Sequence, residues 1–332
     1  MSVETWTSPA FGAQARAWVA DRLAGLDAGL TGEGVQPHAR PWSSAIRFET
    51  TAGRVWFKVN GTGTRHEATL VRELDRLVPG LVPEVLAVDA ARGWSLSRDG
   101  GPILRETAPA DELWGAWEQL LPRYAEAQVA LSGHRDELLA TGIAEVSPAT
   151  VPGLARQLLD ELAAAPEDEG GLTLEQAAAL ERALPLVGDL CAELGACGVP
   201  DSVQHDDLHS ANVCWPGSAA DARVIDWGDA TWGHPLGTML ATLNSIAFHA
   251  GTYVDGGPAP TPELLRVRDA YLEPFTRYAA HDDLVRCVGL ARRTGCVGKA
   301  LSYRAALAEE PLSTHAGMEF PVRDWFLGLL ED

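Results

Sequence analysis

Apolar positions recur along this chain with two periods, and the switches between them outline its elements. Over residues 11–30, Ala15, Trp18, Val19, Leu23, Leu26 and Leu30 fall near helical spacing, which predicts an amphipathic packing helix. Strand character begins at residue 35. Ser44-Ala45-Ile46-Arg47-Phe48-Glu49 alternates, Thr51-Ala52-Gly53 turns, and Arg54-Val55-Trp56-Phe57-Lys58-Val59 continues as a second strand. Residues 64–78 return to the helical period, with Leu70, Val71, Leu74 and Val78 on one face and Glu67 on that face with them. Residues 82–89 and 93–99 read as two more strands, after which Gly100-Gly101-Pro102 breaks the chain.

Beyond that break the pattern is mostly helical, over residues 111–131, 152–165, 173–195, 236–250, 262–280 and 281–308. Asp111, with Pro109 ahead of it, reads as an N-cap, and Pro122 is expected to kink or split its helix. Residues 203–229 differ. Val213-Cys214-Trp215 and Arg223-Val224-Ile225 are short, largely apolar runs around a turn at 216–221, the pattern of a hairpin. Such a hairpin sets Asn212 and Asp226 side by side. Gly256-Gly257-Pro258 marks a further loop. The expectation is an α+β chain with a lobe boundary near residue 100: residues 1–100 form a small antiparallel sheet with a helix, and residues 101–332 a larger, mainly helical unit. A length of 332 residues suits two lobes.

Composition narrows the class. Hydrophobic content of 46% and charged content of 22% exclude a disordered chain. A net charge of −20 argues against a duplex-binding surface, so no nucleic-acid partner is expected. It tilts slightly toward a cationic substrate. Five cysteines without Cys-x-x-Cys spacing argue against a disulfide framework or zinc site and for reduced thiols. The N-terminus lacks a basic stretch followed by an apolar run, and no segment approaches the ~18 apolar residues of a membrane span. A cytoplasmic protein without a membrane partner, monomeric or homodimeric, is the expectation.

Against this background a few polar residues stand out. Lys58 sits inside an otherwise apolar strand, which is costly unless it is paired or snorkels. Glu67 shares the apolar face of the following helix and is the candidate partner; Glu73 points away from that face. Farther on, Asp207, Asn212 and Asp226 supply what phosphoryl transfer needs. One carboxylate orients a hydroxyl and accepts its proton; an amide oxygen and a second carboxylate hold magnesium against a triphosphate. His205 and His209 also have the i, i+4 spacing of a metal pair, with Asp206 between them, but no further His or Cys cluster supports zinc.

The run His205-Asp206-Asp207-Leu208-His209-Ser210-Ala211-Asn212, with Asp226-Trp227 after it, resembles the aminoglycoside phosphotransferase family, whose fold is related to protein kinases. The family pattern is His-Gly-Asp-Leu-His-x-x-Asn, then an Asp opening an Asp-Trp or Asp-Phe segment; Asp206 stands where Gly is usual. The resemblance implies a two-lobed protein-kinase-like fold with Asp207 orienting the acceptor hydroxyl and Asn212 and Asp226 holding Mg2+. Lys58 would hold the α- and β-phosphates, fixed by Glu67. The loop Arg40-Pro41-Trp42-Ser43-Ser44 would cover the phosphates with backbone N–H groups and the Ser43 and Ser44 hydroxyls. The base of ATP or GTP would lie against Ser97, Arg98 and Asp99. His205 would brace the loop, His209 would brace it or reach a phosphate, and Asp229 would stabilise the turn or add outer charge.

By motif the resemblance spans residues 35–240; it reaches the C-terminal helices only by general layout. The implied reaction moves the γ-phosphoryl group to a hydroxyl of a small molecule, with an antibiotic such as an aminoglycoside favoured. A choline, homoserine or sugar kinase is the alternative. A silent binding module and a protein kinase are lesser rivals, the latter opposed by Asp226-Trp227-Gly228 in place of Asp-Phe-Gly. Trp114, Trp117, Trp227, Trp232, Tyr253 and Tyr303 read first as core residues and second as stacking platforms.

Overall fold

The computed structural model describes residues 3–254, 257–307 and 320–331. Two short stretches of the sequence pattern, Gly256 of the glycine loop and the expected helix end at 308, lie outside the described residues. After a one-turn α1 (Val3–Trp6), α2 runs Pro9–Ala24. Ser8 caps it by accepting from the Phe11 N–H, and Gly25 ends it. The helix therefore stops short of Leu30, which instead bridges to Thr50; Asp27, with φ 53°, turns the chain between them.

Five strands follow: β1 (Val35–Ala39), β2 (Ser43–Thr50), β3 (Gly53–Asn60), then α3 (Glu67–Leu77), β4 (Val85–Asp89) and β5 (Trp94–Arg98). They form one antiparallel sheet in the order β1-β2-β3-β5-β4. Pro37 lies in β1, at the edge, where its missing N–H costs no central ladder bond. The two-residue period of β3 sorts its side chains. Val55, Phe57 and Val59 are buried on the face that α2 covers, where Trp18 packs edge-on to Phe57 and Trp94 at 5.8 and 5.7 Å. Lys58 therefore points to the opposite face.

The rest is mainly helical: α4 (Trp114–Leu131), α5 (Arg135–Leu139), α6 (Val151–Ala164), α7 (Leu174–Gly195), α8 (Thr238–His249), α9 (Pro262–Leu272), α10 (His281–Ala306) and α11 (Pro321–Leu327). Between them lie β6 (Ala144–Val146), β7 (Ser202–Gln204), β8 (Val213–Cys214), β9 (Arg223–Val224), β10 (Thr231–Gly233), β11 (Tyr253–Val254) and β12 (Gly257–Pro258). One local expectation fails. Asp111 lies in a 3-10 turn, Ala110–Glu112, and Leu113 stands at the N-cap of α4 without a side-chain bond. Pro122 does not split α4, and Pro185 likewise sits inside α7. A mid-helix Pro costs about 3 kcal/mol; around Pro122 the buried Leu120, Leu121, Tyr124 and Ala125 hold the helix in place. No helix among the described residues is long and apolar enough to cross a membrane.

The long α10 reaches back to the sheet. A Cβ at Gly63, in the turn Thr62–Thr64 after β3, would lie 1.7 Å from the Ala305 carbonyl oxygen of α10. Gly63→Ala is thus expected to destabilise the protein by roughly 1–3 kcal/mol through overpacking. Gly289→Ala, in open space on the same helix, should be neutral or stabilising by up to about 1 kcal/mol. Thermal unfolding of both variants reads this out; a Gly63→Ala protein as stable as its parent would mean that α10 and the sheet do not meet there.

Candidate active site

The site is built on the loop between β7 and β8 and on the segment after β9. β8 and β9 pair Val213 with Val224 and Cys214 with Arg223. The Ile225 N–H then donates to the Asn212 carbonyl at 2.9 Å, which brings Asp226 next to Asn212. His205 is fully buried. Its Nε2 donates to the Ile225 carbonyl (2.8 Å) and its Nδ1 accepts from the Asp207 N–H (3.3 Å), so it staples the two segments. Burial pushes its pKa down to about 4, which keeps the ring neutral. With both nitrogens occupied, His205 has no lone pair for a metal.

Asp206 has φ 61°, the left-handed region that favours glycine. A short polar side chain tolerates it better than most, and here the carboxylate accepts from Thr231 Oγ1, distant in sequence, at 2.5 Å. Burial pushes the Asp206 pKa up to about 6. Asp207 follows, with Oδ1 2.9 Å from Lys299 Nζ and Oδ2 3.3 Å from His209 Nε2. Burial alone would raise its pKa, but Lys299 and His209 outweigh it and hold the carboxyl well below the usual range. Asn212 Nδ2 donates to the Asp207 carbonyl at 2.9 Å.

Asp226 also takes a left-handed backbone, φ 66°, and its Oδ1 meets Lys58 Nζ at 2.5 Å. Lys58 Nζ donates to Glu67 Oε1 at 2.7 Å. Glu67 has almost no exposed surface and accepts further from Trp227 N–H (3.0 Å) and Asn60 Nδ2 (2.6 Å). Burial alone would lower the Lys58 pKa; the carboxylates of Asp226 and Glu67 raise it instead. Glu73 pairs with Arg76 on the outside of α3 at 2.8 Å. Asp229 accepts from Ser302 Oγ of α10 at 2.5 Å.

The nucleotide-side candidates are more committed than their sequence suggests. The Ser44 hydroxyl donates to the His38 carbonyl (3.2 Å) and accepts from Gln36 Nε2 (2.7 Å). Ser43 starts β2 opposite Asn60. Beyond Ser97, which pairs with Trp56, the N–H groups of Arg98 and Asp99 donate to the Glu84 and Arg54 carbonyls. The Arg98 side chain is paired with Glu84, and that of Asp99 with Trp56 and Arg54. Among the aromatics, Trp117, Trp227 and Trp232 are core residues, Trp114 and Tyr303 are half-buried and Tyr253 is exposed.

Lys299 is the residue that motif reasoning passes over. Lys58 and Lys299 are the only lysines in the chain, and both end on acids of this cluster. The criterion that singles out Lys58, a lysine among apolar neighbours, applies equally to Lys299 between Val297 and Ala300, both buried.

A lysine fixed by a helix glutamate, set over a loop and hairpin that gather Asp207, Asn212 and Asp226, defines a phosphotransferase of protein-kinase-like fold. The chain belongs to the phosphotransferase enzyme family, whose model matches residues 34–280, and is a small-molecule phosphotransferase. Solved structures share the fold at low identity. The macrolide 2'-phosphotransferase of Brachybacterium faecium, as apoenzyme, superposes with a TM-score of 0.56 at 18% identity over 88% of this chain and 93% of its own. A choline/ethanolamine kinase family protein from Mesorhizobium loti gives 0.55 at 17% over 98% and 96%. An aminoglycoside phosphotransferase in complex with gentamicin gives 0.56 at 14% over 95% and 96%. No curated protein sequence matches significantly.

Proposed function

We propose that this enzyme transfers the γ-phosphoryl group of ATP or GTP to a hydroxyl of a cationic, sugar-bearing antibiotic. The observation that carries the transfer reading is the convergence of Lys58, Glu67, Asp207, Asn212 and Asp226, brought together from β3, α3 and the two flanks of the β8–β9 hairpin. In this reading residues 1–100 hold the nucleotide. Lys58 takes the α- and β-phosphates, and the end of β5 from Ser97 to Asp99 lies along the base. The turn before Ser43 covers the phosphates through its backbone, because the Ser44 hydroxyl is spent. Residues 101–332 present the acceptor, with Asp207 orienting its hydroxyl and accepting the proton. Asp229 and His205 brace this centre, and His209 steadies Asp207.

Magnesium fits the residues present. Asn212 spends its nitrogen on Asp207, which leaves its amide oxygen for a cation, and Asp226 adds a carboxylate; both are hard oxygen donors. Bound by these two side chains, the ion would neutralise charge on the triphosphate. Asp226→Ala and Asn212→Ala are each expected to weaken binding of the magnesium nucleotide, Asp226→Ala more because it removes a full charge. Titration calorimetry measures both; parental affinity in the two variants would place the metal elsewhere.

For the acceptor, the net charge of −20 and the antibiotic substrates in the names of the macrolide and gentamicin relatives support the antibiotic class. A choline or ethanolamine kinase reading has a relative of its own. Incubation of the enzyme with ATP or GTP and a macrolide, gentamicin, hygromycin B, choline or ethanolamine, read by mass spectrometry, tests this. Phosphorylation of an antibiotic is expected. Phosphorylation of choline or ethanolamine alone would replace this reading with the metabolic one.

A further inference from the structure

Lys299 enters the site from the middle of α10, outside the loop and hairpin that carry the motif. Its side chain is 7% exposed. Its Nζ donates to Asp207 Oδ1 at 2.9 Å and to the Asp206 carbonyl at 3.0 Å, and Asp229 Oδ2 lies 3.8 Å away. The Tyr303 ring, one turn further along α10, sits 5.5 Å from the ammonium. Burying an ammonium costs several kcal/mol unless it is paired and hydrogen-bonded. The carboxylate and carbonyl oxygens that it meets among the described residues belong to the loop that carries Asp207 or to the segment after Asp226.

The bonds also set an orientation. Lys299 takes Oδ1 of Asp207, so the carboxylate is pinned at that oxygen. The other, Oδ2, faces His209, whose side chain is 24% exposed; the Asp207 side chain is itself 32% exposed. Oδ1 thus lies toward the buried neighbour and Oδ2 toward the more exposed one, which leaves Oδ2 as the oxygen for a substrate hydroxyl. Without Lys299, Asp206, Asp207 and Asp229 would face one another with no lysine or arginine among the described residues paired to them, and Asp207 Oδ1 would lose the hydrogen bond that fixes its rotation.

We propose that Lys299 is a positioning residue for phosphoryl transfer: from α10 it clamps Oδ1 of Asp207 and so presents Oδ2 to the acceptor hydroxyl. The inference rests on Asp207 being the residue that orients the acceptor. Its consequence is that the catalytic loop is completed by a helix late in the chain, so changes in how α10 packs reach the reacting hydroxyl through a single side chain.

The test is a double-mutant cycle of Lys299→Met with Asp207→Asn, using the best acceptor of the panel and ATP or GTP. Lys299→Met is expected to lower kcat by roughly 10²-fold, the scale of a misplaced reacting group, while the KM for the nucleotide stays near the parental value. In the Asp207→Asn background the same change should cost little more, because the two act as one unit. A cavity of about 30 Å³ borders Lys299 and Asp206, which gives a longer side chain room, so Lys299→Arg should restore at least a tenth of the parental kcat.

If Lys299→Met does not fold, Lys299→Gln carries the same cycle. Parental kcat in these variants overturns the inference. So does an equal loss in the Asp207→Asn background, or a nucleotide KM that rises as far as kcat falls. Those results leave the phosphotransfer reading standing. A parent enzyme that transfers phosphate to no acceptor, and does not hydrolyse the nucleotide, overturns both.

Discussion

Asp207→Asn is expected to lower turnover by about 10²–10⁴-fold, the contribution of a positioned base, with nucleotide affinity little changed. The amide keeps the shape and can still accept from Lys299 through its oxygen, but it has lost the lone pair that would take the acceptor proton. The substitution also leaves Lys299 with less compensation in a nearly closed site, so thermal unfolding should be followed in parallel. Steady-state kinetics on a folded variant separates the two effects. Turnover near that of the parent would remove Asp207 from the mechanism.

Lys58→Met and Glu67→Gln should each misplace the triphosphate, and their combination should be little worse than either. Residues of one network depart from additivity by roughly 0.5–3 kcal/mol, whereas distant sites add within about 0.5 kcal/mol. The geometry gives the pair a wider reach than a simple ion pair. Glu67 also holds Asn60 and the Trp227 N–H, the residue after Asp226, so it ties β3, α3 and the segment after β9 together. Lys58→Met strips the cation from a buried Glu67 and should also cost stability, on the order of 3–5 kcal/mol for a broken buried pair. The measurement is kcat/KM for the nucleotide across the cycle, with Glu73→Gln as a surface control. Strict additivity of Lys58 and Glu67, or a larger loss from Glu73→Gln, would show that Glu67 is not the partner that matters.

Much of this arrangement is legible in local pattern because local pattern encodes which face of an element is buried. The two-residue alternation of β3 places Val55, Phe57 and Val59 under α2, and the same alternation sends Lys58 to the other side. Helical spacing puts Glu67 with Leu70 and Leu74 on the buried face of α3 and leaves Glu73 to Arg76. The apolar runs around residues 216–221 are enough to place Asn212 beside Asp226. In each case the partner is close in sequence or fixed by a period, so no packing angle has to be known.

What only the tertiary structure decides lies where distant elements meet or where packing overrides propensity. Pro122 remains inside a helix because the burial around it outweighs its local penalty. Asp206, in the loop after β7, holds a glycine-like conformation with its carboxylate met by Thr231 of β10. The Ser44 hydroxyl, on the face of β2 that carries Ile46 and Phe48, is taken up by Gln36 and His38 of the neighbouring strand. Lys299 is the clearest case. Its sequence says that an unpaired lysine among apolar residues needs a partner, but the partner is set by how a 26-residue helix packs against the loop that carries Asp207. Periodicity fixes the face a side chain leaves from; only the packing of that helix against the loop fixes that it ends on Asp207.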